Sequence, residues 1–305
     1  MAALIEYITN LDSSSNLDSG KDSVQDSGKD FTSALRLIGS KQDYVAIHRD
    51  MVDSKTGEKF DCIECYDGHG PDRCIDLIRR IPTHDIIQRF EKPEVEIQRL
   101  LTGATPAVSI RSGATCSIVK IYSNRVVCRS VGDSEIYVYI NSEVAYHSTN
   151  HTYDNMAERS RLLTKGWPVA SQRLNILSPV KMSYLPTNIF RYTEGFELAP
   201  TQSLGHQGIT GISAEVKTVL FNPSDRVDVI VATDGLWDVF MPSCPEDKEH
   251  ILTYSAPQLA ALGELRWKQE WEFIDSSLPG GVEMNQFGDY DDVGVAVYRS
   301  GQRVK

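Results

Sequence analysis

Long apolar runs are missing from this 305-residue chain. None approaches the roughly 20 residues that a membrane-spanning helix needs. The N-terminus, MAALIEYITNLD, lacks the basic start and long apolar core of a secretory leader. These absences lead us to expect a cytoplasmic protein with no membrane partner. Cysteine is scarce: six are scattered along the chain, which fits a reducing compartment better than a disulfide framework. Cys62 and Cys65 form a lone CxxC, and no second ligand pair is visible to complete a zinc site. Positive charge is in deficit, with 31 Lys and Arg against 42 Asp and Glu and a net charge of −11. Such a balance argues against nucleic acid as a partner, and bound cations would neutralise some of the excess acid.

What is present is the composition of a soluble globular protein, 41% hydrophobic and 24% charged, enough for a sizeable core. Residues 10–30 are of low complexity and carry the unit DSGKD twice. Residues 1–30 are therefore expected to form a disordered tail rich in Ser and Asp. Order is expected from Phe31 onward.

Three stretches share one design. Cys62 to Gly70, CIECYDGHG, reads as a buried strand running into a tight turn that holds Asp67, Gly68, His69 and Gly70. Val227 to Asp238, VDVIVATDGLWD, is an apolar strand ending in Asp234 and Gly235, with Asp238 beyond. Asp289 to Tyr298, DYDDVGVAVY, opens a Val-rich strand with the pair Asp291 and Asp292. Strand ends from one sheet system can converge in space. Converging carboxylates repel one another unless cations lie between them, and carboxylates beside a main-chain carbonyl suit magnesium or manganese.

CYDGHG, GATC, SVGDSEIYVY, VATDGLWDVF and DYDDVGVAVY stand in the order and rough spacing of the metal-dependent serine/threonine protein phosphatases, type 2C (PPM). The resemblance covers about residues 31–300. It implies an α+β fold in which two antiparallel β-sheets pack as a sandwich flanked by α-helices, with residues 31–305 as one catalytic domain. It implies two divalent cations, Mg2+ or Mn2+, held by Asp67, Gly68, Asp234 and Asp291, with Asp43 and Asp238 as outer-shell groups. The implied reaction removes phosphate from phosphoserine or phosphothreonine in protein substrates. A hydroxide bridging the two ions attacks phosphorus, and His69 protonates the departing oxygen. No cysteine nucleophile is required.

Several positions depart from the family pattern. The family arginine that grips phosphate falls at Ile38, which leaves Lys41, or Arg36 in its place, as the candidate cation for the substrate phosphate. Lys offers a point charge where Arg offers a fork. Gln42 and Asp43 match the Gln-Asp variant of the same segment. Asn150 stands where some members carry an aspartate for a third, weaker ion. In TQSLGH, Gln202 and His206 replace an arginine and an acid, and a lone histidine there reads as structural. Gly132-Asp133-Ser134 matches a family motif but reads most simply as a bulge within one strand, with Asp133 bonded to backbone. These departures keep a second function in view, a weak or inactive pseudophosphatase that binds partners. A hydrolase for small phosphoesters is a third. Pro257 to Asp275 reads as one amphipathic helix carrying Leu259, Leu262, Trp267, Trp271 and Ile274.

Overall fold

The computed structural model describes residues 29–152, 154–164, 169–172, 176–177, 182–183, 188–191, 197–274 and 282–300. The expected N-terminal tail therefore lies outside the described residues, except for Lys29 and Asp30, which open the first strand. Strands β1 (Lys29–Arg36), β2 (Tyr44–Val52), β3 (Lys59–Tyr66) and β4 (Gly68–His69) lead to three short helices. These are α1 (Arg73–Ile78), α2 (Thr83–Arg89) and α3 (Pro93–Thr102). Then come β5 (Gly113–Ala114), β6 (Cys116–Ile121), β7 (Arg125–Val131), β8 (Glu135–Ile140), β9 (Glu143–His147) and α4 (Met156–Thr164). Short strands β10 (Val169–Gln172), β11 (Ile176–Leu177), β12 (Met182–Ser183), β13 (Asn188–Arg191) and β14 (Glu197–Leu198) precede β15 (Leu204–Gly205). The chain continues through β16 (Glu215–Leu220), β17 (Val227–Ala232), α5 (Asp234–Trp237), α6 (Pro245–Thr253) and α7 (Ala256–Lys268). Strands β18 (Trp271–Ile274), β19 (Val282–Asn285) and β20 (Val293–Ser300) follow.

Two five-stranded antiparallel sheets carry the fold, in the orders β1-β20-β17-β8-β9 and β16-β7-β6-β3-β2. Alternation along each strand builds the layers. On β3, Ile63 and Cys65 face the other sheet, where they meet Ile136, Val138, Val229 and Val231. Cys62 and Tyr66 face outward and pack with Ile75, Ile87 and Ile97 from the first three helices. On β17 and β20, Ile230, Val293 and Val295 pack outward against Leu236, Leu259 and Trp267. Each sheet is thus buried on both faces, giving helix, sheet, sheet and helix layers, the sandwich that the family resemblance implies. The same alternation separates Cys62 from Cys65, whose side chains lie in different core clusters and cannot share one metal ion.

Two local readings are corrected. The segment expected as one bulged strand, 125–140, is two strands in different sheets. Gly132, at φ +109, breaks it between β7 and β8, and the Cβ of any other residue there would press on Thr115. The helix expected over 257–275 stops at Lys268, and Trp271 begins a strand paired with β19. The Trp271 indole closes back to cap the helix end by donating to the Arg266 carbonyl at 2.7 Å.

Candidate metal centre

The registers bring the acidic strand ends together. The last residue of β17, Ala232, pairs with Glu135 at the start of β8 and with Val295 near the start of β20. In the other sheet, Tyr66 at the end of β3 pairs with Tyr44 at the start of β2, and Cys116 pairs with Val131 at the end of β7. Asp67, Asp234, Asp291, Asp43 and Asp133 therefore leave the sandwich at one end. Oxygens of Asp67, Asp133 and Asp234 lie within 4.8 Å of one another.

Close packing of the loops makes this possible. The Asp67 amide accepts support from Thr115 by donating to its hydroxyl at 3.0 Å, and the Thr115 amide donates to the Asp67 carbonyl at 2.8 Å. Gly68 sits where a Cβ would come within 2.8 Å of Gln42. Gly235 is tighter still, since its Cβ would lie 1.8 Å from the Asp292 carbonyl oxygen. The Thr233 hydroxyl donates to Asp43 at 2.8 Å and receives the Gly294 amide at 2.9 Å. The adjacent acids Asp291 and Asp292 have separate tasks. Asp292 accepts hydrogen bonds from the Gly39 and Gln42 amides and the Ser40 hydroxyl, which ties down the 39–42 loop. Asp291 faces the cluster.

Electrostatics agree with this convergence. Burial, followed by neighbouring carboxylates, raises Asp133 and Asp234 to about 7 and Asp291 to about 8. The same causes raise Asp43, Asp67 and Asp238 well above the usual carboxylate range. Both oxygens of Asp133 and one of Asp234 are buried with no hydrogen-bond partner among the described residues. Buried carboxylate oxygens without donors are costly, and a divalent cation is the group that satisfies several at once. The donor set, hard oxygens only, fits magnesium or manganese.

Asp133 is the residue that sequence reasoning left out of the site: it joins the cluster, and its own amide is the backbone group that lowers its carboxyl. The signal lay in its own motif, because a Gly-Asp pair where a chain changes sheets resembles the Asp-Gly pairs at the other strand ends. Asp238, one turn beyond Asp234, also faces the cluster. Gly68 is buried beside Asp67, paired with Ala114. Lys41 lies exposed at φ +65 in the loop that Asp292 ties down, and its carbonyl accepts from Arg79 at 3.0 Å. Ile38, in place of the family arginine, packs against the core beneath the C-terminal helices. Asn150 donates to Glu135 at 2.7 Å. Cys74 and Arg80 have the spacing of a cysteine-phosphatase loop, but Cys74 lies on α1 and burial pushes its thiol up to about 12, so it offers no thiolate nucleophile. His69, half-buried, meets His206 with Nε2 atoms 2.8 Å apart. Burial and this neighbour lower His69 to about 3, and burial lowers His206 to about 4.

A two-sheet sandwich with helices outside is an architecture shared with solved phosphatases. A Toxoplasma gondii serine-threonine phosphatase 2C superposes with a TM-score of 0.50 at 14% identity, over 84% of this chain and 94% of that one. A C. elegans sex determining protein superposes with a TM-score of 0.60 at 17% identity, over 90% of this chain and 65% of that one. In sequence, human protein phosphatase 1B is 27% identical over 175 residues, 57% of this chain. That match spans 33% of the human protein's length. The family model for protein phosphatase 2C matches residues 43–244. The chain belongs to the protein phosphatase 2C family, whose members depend on magnesium or manganese.

Proposed function

We propose that this chain is a metal-dependent phosphomonoester hydrolase acting on phosphoserine and phosphothreonine in proteins. The observation that carries the reading is the set of buried, partnerless oxygens on Asp133 and Asp234 beside Asp67. Asp67, the Gly68 carbonyl, Asp133, Asp234 and Asp291 would hold two divalent cations, with Asp43 and Asp238 around them. Such ions, when bound, neutralise phosphate charge and activate water toward phosphorus. His69 gives a proton to the departing serine or threonine oxygen. Its ring is neutral before substrate arrives, and an incoming phosphate dianion favours the protonated form. Lys41, on an exposed loop, is a cation that would steer that dianion.

The packed Ile38 favours a second reading, because no guanidinium fork is present there to bind phosphate. On that reading the chain is a weak or inactive relative that binds phosphoproteins. One experiment separates the two. The purified chain is assayed on p-nitrophenyl phosphate and then on phosphopeptides, with manganese, with magnesium and with EDTA, beside Asp67→Asn. Metal-dependent turnover that Asp67→Asn abolishes supports the enzyme. A folded wild-type chain without turnover in either metal supports the binding protein.

A further inference from the structure

We infer that His206 is a positioning residue for His69, holding its ring through the contact between the two Nε2 atoms. The inference rests on the phosphatase reading above for its consequence, but on geometry for its substance. The small sheet β15-β5-β4 builds the pair. His69 on β4 lies opposite Gly113 on β5, and Gly113 lies opposite Gly205 on β15. Because Gly113 has no side chain, the two imidazoles meet over it. A Cβ at that position would fall 2.1 Å from His206 Nε2 and 2.7 Å from His69 Nε2. The rings stack with centroids 4.9 Å apart and planes 23° apart.

Hydrogen-bond chemistry then fixes the roles. His206 Nδ1 lies 2.6 Å from the Ile110 carbonyl. A carbonyl only accepts, so His206 Nδ1 carries the hydrogen and its Nε2 is left as an acceptor. The 2.8 Å contact between the two Nε2 atoms pairs this acceptor with His69, whose ring also bonds the Asp67 backbone. His206 orients His69 as an acceptor orients a catalytic histidine in other hydrolases.

The surrounding chain is shaped for this contact. His206 and Gln207 both sit in the left-handed region, at φ +46 and +52, where residues other than glycine are strained and strain collects at functional sites. Gly205, at φ +79, leaves room against the Ser112 carbonyl, which a Cβ would approach to 2.5 Å. Gln98 of α3 clamps Gly205 from both sides, accepting its amide at 2.7 Å and donating to its carbonyl at 3.2 Å. The His206 amide donates to the Ser112 carbonyl at 2.8 Å. A histidine serving only to fill space would need none of these.

The test compares wild type, His206→Leu, His206→Gln, His69→Ala and the double variant His69→Ala/His206→Leu, in saturating manganese. The substrates are phenyl phosphate, with a poor leaving group, and p-nitrophenyl phosphate, with a good one. General-acid catalysis is worth about 100-fold or more, so His206→Leu should lower kcat on phenyl phosphate by about 10-fold or more while changing kcat on p-nitrophenyl phosphate by less than about 3-fold. KM should hold for both substrates. His206→Gln, whose amide oxygen can accept from His69, should recover most of the loss. In the His69→Ala background, His206→Leu should cost nothing further, since the two act as one unit. Equal losses on both substrates, or losses that add to those of His69→Ala, overturn the inference. Wild-type turnover with and without metal checks the underlying reading separately. If the wild type proves inactive, or His206→Leu fails to fold, nitrogen-15 NMR of the histidine rings still decides. In the wild type one of the two Nε2 nitrogens should carry a hydrogen and the other accept it. Two bare Nε2 nitrogens overturn the inference.

Discussion

A single carboxylate separates this site from an ordinary acidic turn. Asp133 has both oxygens buried without a donor, whereas Asp292, a neighbour of the cluster, has its oxygens filled by loop amides and a hydroxyl. The two acids should respond differently to amide substitution. Asp133→Asn removes charge from the cluster, so activity at fixed manganese should fall by about 100-fold or more, equivalent to ~2.7 kcal/mol or more. Isothermal titration should show manganese binding weakened. Asp292→Asn instead loosens the 39–42 loop, and its effect should appear first as a lowered Tm. Equal manganese affinity in Asp133→Asn and wild type would remove Asp133 from the ligand set. Gly235 makes the same point sterically. A methyl group 1.8 Å from the Asp292 carbonyl must drive Asp234 and Asp291 apart, so Gly235→Ala should lower both metal affinity and Tm.

At the scale of elements, α3 is fastened to the sheet by one buried ion pair. Arg129 of β7 donates to both oxygens of Glu94, at 2.8 and 2.5 Å. The two side chains are 11% and 3% exposed, so neither charge has water to fall back on. Arg129→Met leaves Glu94 charged and alone and should cost about 3–5 kcal/mol. The double variant Arg129→Met/Glu94→Leu should recover much of that in urea unfolding, because both desolvated charges are then gone. Because α3 also supplies Gln98 to the His206 loop, Arg129→Met should disturb the histidine pair before the carboxylate cluster. At this scale the sequence was most readable. Alternation in β3, β17 and β20 marked the strands, and acids at their ends marked the site. The break at Gly132 was hidden because apolar alternation runs on both sides of it, and periodicity carries no information about which sheet a strand joins. Trp271 was hidden for a related reason: it continues the apolar spacing of α7 although the chain has already left the helix. The meeting of His69 with His206 was hidden because it depends on Gly113, which lies between them in space but far from both in sequence.

The whole molecule sets the conditions under which the cluster is tolerable. Asp43, Asp67, Asp133, Asp234, Asp238 and Asp291 gather at one end of a sandwich whose four layers are packed behind them. Without cations their carboxyl groups hold protons at pH values where an unfolded aspartate, titrating near 3.9, has lost its own. Asp133 and Asp234 reach about 7 and Asp291 about 8. Between about pH 4 and pH 8 these six groups therefore bind more protons in the folded, metal-free chain than in the unfolded one, outnumbering the buried His69, His151 and His206, which oppose them below about pH 6.5. The stability these groups contribute is full below the unfolded value and is lost as pH rises through the folded values. In EDTA the Tm should accordingly be higher at about pH 5.5 than at about pH 8. Magnesium reverses the order, because it binds carboxylates in their deprotonated form and stabilises the folded state by mass action. The rise in Tm on adding magnesium should be larger at the higher pH. Calorimetry across this range, with and without magnesium, reads both slopes on the same protein. A metal-free Tm that climbs with pH would mean that the carboxylates are already paired within the chain, and the case for a cation at the end of the sandwich would fall with it.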